Sequence, residues 1–551
     1  MSSSRVPGPL SQSRLTRRRA VATAGAGAVA AAFHGHAHAQ SATPEAAAAP
    51  TPGLTTPEGI AEAVRQAPEV AKSLMERTGV PGMSVVIAHE DHVLFIDGFG
   101  VRELGKSDPV EPETVFQVAS LSKALSSTVV SALVGQGSVA WASRMADLDP
   151  SFALHDAWPT SQATLTDLFS HRSGLRDHAG DVLEDLGFDV DDIIHRLRYL
   201  EPQYSFRAGY EYTNFGLSTA AYAAAKAVGK DWNRVAADVL YEPLGMASTS
   251  SRFRDYMAQP NRAVPHSPVG PGWPGGTADW QVAPLQRDPD AQTPAGGVSS
   301  NAVDMARWLL LQLGAGTIDG KELIPAAALA PTHTPQAVTR PAKDPATGQA
   351  SFYGLGFNVN YNDFGLPVLG HSGAFALGAA TCVEMLPASR FGVVALTNAS
   401  PVGLPEAFCL SILDLARTGT ISTDWLAVVT PSFQNIAAPT YGTDIPAVPP
   451  SPATPAQPNA AYVGTYANDY YGDATISETA DGLALGIANA AHDFALAHFD
   501  RDTFTWQPIG ENAYGPSALS FTLGPDGTAT GFSDQYLGAY GPGTLPKKPT
   551  P

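Results

Sequence analysis

Two short apolar runs near residue 90 predict a pair of neighbouring strands. Residues 83–88 are apolar except for Ser84, residues 93–96 are apolar, and the four polar residues 89–92 between them predict the turn of a hairpin. A helix is predicted over 120–134, because apolar residues recur there at helical spacing, at Leu121, Leu125, Val129 and Leu133.

Strand-like runs return only after a helix-rich middle segment. They lie at 356–359, 381–385 and 391–396. Helices placed between separated blocks of antiparallel strand predict an α/β domain, in which an antiparallel sheet is flanked by helices. We assign this domain to residues 57–437.

A change in composition after residue 437 predicts a second domain. Seven prolines within 438–459 make this segment a stiff, extended linker. Residues 460–545 then contain short strand-like runs, and Asp481-Gly482 and Pro525-Asp526-Gly527 supply turns between such runs. The pattern predicts a small domain built from β-strands.

The first 39 residues have the order of features found in a twin-arginine export signal. Three arginines at 17–19 precede a weakly apolar run, and Ala37-His38-Ala39 offers a small-residue cleavage site. Residues 1–39 are therefore predicted to be a signal peptide, and the mature protein is expected to be periplasmic or secreted. The alternative is a disordered basic tail, which does not explain the order of these features. Residues 40–56 are rich in alanine, proline and threonine and are predicted to be a linker.

Charge excludes several classes of function. The chain of 551 residues has a net charge of −19, and removal of 1–39, which holds five arginines and no acid, leaves 28 of 33 basic residues against 52 acidic ones. Such a surface repels phosphate backbones and anionic lipids, so neither nucleic acid nor a membrane surface is an expected partner. No later run reaches the roughly 18 apolar residues of a membrane-spanning helix.

No metal or cofactor is predicted. Cysteine and histidine do not occur at the spacing of a zinc site, and no glycine-rich loop follows a strand as in a nucleotide site. The two cysteines, Cys382 and Cys409, are compatible with a disulfide in an oxidising compartment and with two buried thiols. Their spacing does not decide between these alternatives.

The candidate chemistry begins with Ser120 and Lys123. Residues three apart share one face of a helix, so the hydroxyl and the amine can meet. A buried amine with a lowered pKa can take the proton of a serine that attacks a carbonyl. The chain has nine lysines, and Lys123 is the only one with a serine three positions before it. Its apolar, small-residue surroundings argue against the alternative, a solvated surface helix.

Two further motifs follow Ser120-x-x-Lys123 in the chain, namely Tyr212-x-Asn214 and His371-Ser372-Gly373. In this order the three motifs resemble those of the serine β-lactamase and penicillin-binding-protein superfamily, and most of all the class C β-lactamase-related hydrolases, among which are D-amino-acid peptidases and esterases. The stretches 168–175 and 294–300 resemble the "LLSHTSGL" and "PAGGLxS" stretches of that family. The resemblance covers roughly residues 57–430. The opening of the second domain, 462–468, resembles the small lipocalin-like β-barrel that some members carry.

The resemblance implies a β-lactamase-like fold and a role for each motif. Ser120 would form an acyl-enzyme, Lys123 would accept its proton, and Tyr212 would pass protons to the leaving group and help activate the water. Asn214 would hydrogen-bond the substrate amide or orient Lys123. The other candidates are expected to bind the substrate or stabilise the oxyanion, through side chains or through the N–H groups of Ser120 and Ala374: His371, Ser372, Gly373 and Ala374. Gly373 would allow the strand edge to approach the substrate closely.

One departure bears on the substrate. Class C β-lactamases have a lysine at the third motif, whereas this chain has His371, which is only partly charged near neutral pH. Family members with histidine there are often peptidases or esterases. The sequence therefore predicts a metal-free serine hydrolase acting on a small amide, a D-amino-acid-type peptide or an ester. The alternatives are a class C-like β-lactamase, a penicillin-binding sensor that is acylated without turnover, and a catalytically inactive binding module. The oligomeric state stays open.

Overall fold

The computed structural model describes residues 53–269, 279–343, 348–436, 441–442, 445–487 and 489–549. The predicted signal peptide and most of the predicted linker 40–56 lie outside the described residues, as do parts of the proline-rich segment 438–459. The limits predicted for these segments therefore stay predictions.

Within the described residues the strands are, in chain order, β1 (Gly82–His89), β2 (His92–Gly100), β3 (Phe116–Gln117), β4 (His266–Pro268), β5 (Trp280–Val282), β6 (Ser299–Ser300), β7 (Thr317–Ile318), β8 (Lys321–Glu322), β9 (Ala337–Arg340), β10 (Ser351–Tyr353), β11 (Asn358–Tyr361), β12 (Pro367–Phe375), β13 (Ala379–Leu386), β14 (Phe391–Thr397), β15 (Gly464–Asn468), β16 (Gly472–Thr479), β17 (Gly482–Ile487), β18 (Phe494–Asp500), β19 (Thr503–Trp506), β20 (Ser517–Leu523), β21 (Ala529–Asp534) and β22 (Thr544–Pro546).

The α-helices are α1 (Pro57–Thr78), α2 (Ser122–Gly135), α3 (Met145–Leu148), α4 (Ala157–Gln162), α5 (Leu165–Phe169), α6 (Asp181–Asp185), α7 (Val190–Arg196), α8 (Asn214–Ala227), α9 (Trp232–Ala236), α10 (Glu242–Leu244), α11 (Phe253–Ala258), α12 (Thr293–Gly296), α13 (Ala302–Leu313), α14 (Ala326–Leu329), α15 (Leu404–Thr418), α16 (Trp425–Ile436) and α17 (Gln535–Tyr540).

An antiparallel sheet of eight strands forms the centre of the first domain, in the order β2-β1-β14-β13-β12-β11-β10-β9. Helices cover both faces, so the inner strands are buried on both sides. In β1, Val85 and Ile87 pack in the core shared with α1 and α15, whereas Val86 and Ala88 pack in the core shared with α2 and α8. Burial on both faces explains the nearly continuous apolar run at 83–88. The predicted α/β fold and the hairpin turn at 89–92 are confirmed.

Helix α2 lies in the middle of the first domain. The predicted helix 120–134 begins instead at Ser122, after a 3₁₀ turn at 119–121, and all residues from 122 to 133 are buried. Two of its serines are satisfied inside the core, since Ser126 donates to the Pro294 carbonyl at 2.7 Å and Ser131 to the Ser127 carbonyl at 2.9 Å. The Ser127 hydroxyl has no hydrogen-bond partner among the described residues. The predicted apolar side is therefore only part of a helix that is buried all round.

The second domain is a nearly closed barrel. Strands β15 to β22 pair in sequence order, each antiparallel to the next, and the first and last strands meet where Tyr466 pairs with Lys547. This closure confirms the predicted β-barrel. Tyr466, which also forms a Tyr-x-Asn pattern, is a fully buried residue of β15. The apolar core of the barrel is continuous with that of the helical layer around α2 and α8.

No helix in the described part of the chain is long and apolar enough to cross a membrane. Cys382 in β13 and Cys409 in α15 are both buried and are not bonded to each other. Of the two alternatives left open by the sequence, the structure has the pair of buried thiols.

Candidate active site

Ser120 lies in the 3₁₀ turn that leads into α2. Ala119, before it, has a φ of 48°, a backbone conformation that side chains other than glycine rarely adopt. The turn is held from the sheet, since the Thr381 hydroxyl donates to the Val118 carbonyl at 2.7 Å. Ser120 itself is 7% exposed. A strained turn fixed by the sheet thus presents a nearly buried hydroxyl.

Lys123 is fully buried one turn further along, and its Nζ has three polar neighbours. It lies 3.1 Å from Ser120 Oγ, 2.7 Å from Asn214 Oδ1 and 2.9 Å from the Ala295 carbonyl oxygen. The two carbonyl-type oxygens can only accept. A neutral amine has two hydrogens and one lone pair, so donation to both oxygens leaves the lone pair facing Ser120. This geometry suits a base that takes the serine proton.

The electrostatics of Lys123 favour the neutral amine. Burial lowers the pKa of Lys123 well below its usual value, and Arg287 lowers it further, while Asp181 opposes the shift. A lysine that is uncharged near neutral pH can act as a general base, which an ordinary surface lysine cannot.

Asn214 links Lys123 to a buried carboxylate. Its Nδ2 donates to Asp181 Oδ2 at 2.8 Å, which fixes the amide so that Oδ1 points at Lys123. Because both ends of the amide already have partners, the geometry favours the second of the two expected roles, orienting Lys123, over binding the substrate amide. Burial raises the pKa of Asp181, and His178, Arg287 and Asn214 oppose that rise.

Tyr212 lies beside the serine and the lysine. Lys123 Nζ is 4.5 Å from the centre of its ring, and its hydroxyl has no hydrogen-bond partner among the described residues. Burial raises the pKa of Tyr212, and the negative charge of Asp181 raises it further. The phenol therefore stays protonated, which suits a donor of a proton.

His171 holds the segment that carries Tyr212. Its ring centroid is 4.8 Å from that of Tyr212, and its Nδ1 accepts the Thr213 N–H at 3.2 Å. Burial lowers the pKa of His171 well below its usual value, and Lys123 lowers it further. A neutral ring is required for Nδ1 to accept, so the electrostatics and the hydrogen bond agree.

His371 lies in β12 and is fully buried. Its Nε2 is 2.9 Å from the Tyr353 hydroxyl, and its Nδ1 is 2.7 Å from the Ser372 carbonyl. Burial lowers its pKa to about 3, with a further contribution from Lys123. His371 is therefore neutral at any working pH, rather than partly charged as the sequence suggested, and both ring nitrogens already have partners.

The neighbours of His371 divide between the two faces of the sheet. The Ser372 hydroxyl lies on the far face, where it contacts Cys382 Sγ at 3.9 Å, so only the backbone of this candidate borders the site. A Cβ at Gly373 would lie 2.2 Å from the Val118 carbonyl and 2.9 Å from the Leu121 nitrogen. The glycine is thus required because a side chain would clash with the turn that carries Ser120. This reason differs from the predicted one, which was close approach of the substrate. Ala374 follows in the same strand and is partly exposed.

Three contributors to the site, Asp181, Ala295 and His171, were not identified as functional residues from the sequence. Two of them lie in stretches that the family resemblance marked, since His171 belongs to 168–175 and Ala295 to 294–300. Their presence in those stretches was a usable signal. Asp181 carries no such signal, because it is one acid among 52 in the chain. In the described part of the chain, no three His, Cys, Asp or Glu residues are arranged to hold a metal ion.

A serine beside a buried lysine whose pKa is lowered, with a tyrosine whose pKa is raised next to both, is a constellation for nucleophilic attack on a carbonyl. Comparison with known proteins assigns the chain to a family: it belongs to the Beta-lactamase family, which matches residues 67–408. Residues 448–540 match a second family, described as a domain of unknown function, DUF3471.

Named relatives agree with this assignment. The chain is 26% identical to an unguisins hydrolase of Aspergillus violaceofuscus over 485 residues, 81% of this chain and 83% of the relative. It is also 26% identical to penicillin-binding protein 4 of Amycolatopsis lactamdurans, over 58% of this chain and 81% of that protein.

A solved structure shows the same fold. The octameric penicillin-binding protein homologue from Pyrococcus abyssi superposes with a TM-score of 0.54 at 16% identity, covering 86% of this chain and 98% of that one. Family and relatives together point to a hydrolase.

Proposed function

We propose that the protein is a serine hydrolase that cleaves a small amide, a D-amino-acid-type peptide or an ester through an acyl-enzyme on Ser120. The observation that carries the proposal is the set of contacts around Lys123 Nζ, which leaves its lone pair for the Ser120 proton. The hydrolase name of two relatives from Aspergillus supports the reaction class.

The reaction proceeds in two steps. Ser120 Oγ attacks the carbonyl carbon while Lys123 takes its proton, and the N–H groups of Ser120 and Ala374 stabilise the oxyanion. Tyr212, kept protonated by burial, gives a proton to the departing amine or alcohol. Lys123 then passes the serine proton to Tyr212, which restores the phenol. In the second step water attacks the acyl-enzyme while Lys123 takes a proton from it, and Lys123 gives this proton to Ser120 Oγ as the acid is released.

The third motif bears on the choice of substrate. The ring of His371 is buried and neutral, so it offers no fixed positive charge to the carboxylate of a β-lactam. Arg287, whose guanidinium lies 4.4 Å from the ring centre of Phe375, is already paired with Glu184 and Glu511. These features favour peptidase or esterase action over β-lactam hydrolysis.

The test compares three chromogenic substrates on the full chain: p-nitrophenyl acetate, D-alanine p-nitroanilide and nitrocefin. We expect turnover of the ester or the anilide that Ser120→Ala abolishes. Ser131→Ala is the matched control, because Ser131 is a buried serine of the same helix whose hydroxyl donates to the Ser127 carbonyl of the preceding turn. If Ser120→Ala still turns over the substrate, the assignment of Ser120 as the nucleophile would be wrong.

Intact mass separates the remaining alternatives. A lasting adduct on Ser120 without turnover would identify a penicillin-binding sensor, and nitrocefin as the best substrate would identify a β-lactamase. If the protein shows no turnover and forms no adduct, the result would indicate a binding module.

We further propose that the protein is exported by its twin-arginine-type N-terminus, residues 1–39. The support is the order of arginines, apolar run and cleavage site in the sequence. N-terminal sequencing of the protein recovered from outside the cytoplasm should begin at Gln40, and a mature chain that retains the arginines at 17–19 would contradict the proposal.

A further inference from the structure

A loop of the C-terminal barrel reaches the rim of the candidate active site. Glu511, between β19 and β20, accepts the N–H of Ala376 at 2.5 Å through Oε1 and that of Leu377 at 3.3 Å through Oε2. These two residues form the turn immediately after β12, the strand that carries His371, Gly373 and Ala374. The end of this strand is therefore fixed by a side chain of the other domain.

The carboxylate of Glu511 is also connected to the serine turn through a series of side-chain contacts. Glu511 pairs with Arg287 at 3.3 Å, and the Arg287 guanidinium lies 4.4 Å from the centre of the Phe375 ring. Phe375 packs in a small apolar cluster with Ala119, the residue before Ser120. Side-chain exposures of 9% for Arg287 and 11% for Glu511 show that this pair is shielded from solvent.

A second anchor lies on α6. Asp185 accepts the backbone N–H groups of Glu511 and Asn512, each at 2.9 Å, and also the Asn512 side chain at 2.8 Å. The same short helix begins at Asp181, whose carboxylate orients Asn214. One helix of five residues thus connects the barrel loop to the amide that contacts the catalytic lysine.

We propose that Glu511 is a positioning residue of the active site, so that the barrel is a working part of the catalytic unit. Glu511 holds the turn after β12 from one side, and the loop that carries it is held by α6 from the other. The role rests on the proposed hydrolase function, because what it positions is the serine turn and the strand that follows the third motif. A loop that only joined two strands would not require a solvent-shielded carboxylate that accepts hydrogen bonds from two backbone N–H groups of the other domain.

The test uses Glu511→Gln in the full chain. A glutamine has one acceptor oxygen where Glu511 has two, so its NH₂ group would face the N–H of Ala376 or Leu377, or Arg287, none of which can accept. We expect kcat for the best chromogenic substrate to fall about 10- to 100-fold, with KM changed less than threefold. Glu478→Gln is the matched control, since Glu478 is an exposed glutamate of the same barrel that bonds to Asn459, and it should leave kcat unchanged.

Hydrogen exchange provides a readout that does not depend on turnover. The amides of Ala376 and Leu377 should exchange at least tenfold faster in Glu511→Gln than in the wild type, with no such change in Glu478→Gln. If the wild type turns over no substrate, the proposed function fails, whereas the exchange rates still decide whether Glu511 holds the turn.

Asp185→Asn, which weakens the same loop from α6, is the second variant in case Glu511→Gln does not fold. It should lower kcat and speed exchange at the same two amides. The proposal is overturned if the folded variants keep wild-type kcat, or if they lose only thermal stability while exchange at 376–377 is unchanged.

Discussion

The central sheet separates two clusters of buried polar groups that differ in how many partners they have. On the side of α2 and α8, Lys123 contacts Ser120, Asn214 and the Ala295 carbonyl. On the side of α15, the carboxylate of Glu406 is buried and neither oxygen has a hydrogen-bond partner among the described residues.

The two clusters show that a shifted pKa alone does not identify a functional site. Burial lowers the pKa of Lys123, and burial likewise raises that of Glu406, to about 7, and that of Cys382. What distinguishes the lysine is the arrangement of acceptors that directs its lone pair at a hydroxyl. The arrangement of hydrogen-bond partners therefore identifies the functional residue, and the pKa shift indicates only its protonation state.

The largest effect is expected from Lys123→Met, which removes the base and keeps the volume. Activity should fall about a thousandfold or more. Stability at neutral pH should change little, because removal of a buried amine offsets the loss of its hydrogen bonds to Asn214 Oδ1 and the Ala295 carbonyl. The measurements are kcat/KM and urea unfolding. Lys226→Met, at an exposed lysine paired with Asp149, is the control and should keep full activity.

The pH dependence of this difference in stability has a definite sign. The lysine titrates at about 10.4 in an unfolded chain and at a lower pH in the fold. Between the two pKa values the unfolded state binds more protons, so wild-type stability relative to Lys123→Met should rise with pH across that window. A difference that stays flat from pH 7 to pH 10 would mean that the amine is charged in the fold.

A smaller effect is expected from Asp181→Asn. The amide oxygen can still accept from Asn214, but the negative charge that raises the pKa of Lys123 is lost. The acid limb of the kcat/KM profile should therefore move to lower pH, with a loss of about tenfold at the optimum. Asp191→Asn, at an exposed position on α7, should leave the profile unchanged. An acid limb that moves upward would contradict the assigned coupling.

Both clusters also show which parts of the molecule the sequence could predict. Ser120 and Lys123 were accessible because their contact depends on a spacing of three residues within one turn. Asp181 and Glu511 were not, because they reach their partners across 33 and 326 residues, as the bonds to Asn214 and Asp185 show. An acidic chain offers many equivalent carboxylates, and only tertiary packing selects among them.

The strands of the fold can likewise be divided into those that the sequence predicts and those that it does not. The hairpin at 89–92 and the core strands β13 and β14 were predicted, because strands buried on both faces are continuous apolar runs. Strand β18 of the barrel was not, because its alternation of buried and exposed residues breaks at His498, and His498 and Asp500 leave no continuous apolar run. The face on which Ser372 lies could not be assigned without the register of β12 against β13.

On the far side of the sheet, Glu406→Gln should leave kcat within about twofold and change only stability. The folded pKa of about 7 lies above the value of about 4.3 in an unfolded chain. The folded state therefore binds more protons between these values, and wild-type stability falls as pH rises across them.

Above pH 7 the glutamine variant should be the more stable by up to about 3 kcal/mol, as measured by urea unfolding at pH 5 and pH 8. Lost activity with unchanged stability would place Glu406 in the catalytic machinery. The two faces of the sheet would then no longer differ in that only the Lys123 side takes part in catalysis.

The smallest effect is expected from the two thiols, Cys382 and Cys409, because both are buried and burial raises the pKa of each. A thiol reacts as the thiolate, so neither should alkylate in the folded protein. Iodoacetamide should add nothing to the native chain and two labels after unfolding without a reductant, as counted by intact mass. No label after unfolding would reveal a disulfide and therefore a different packing behind the sheet. One fast label on the native chain would show that the face behind the sheet is open to solvent, and burial would then no longer explain the raised pKa values of Cys382, Cys409 and Glu406.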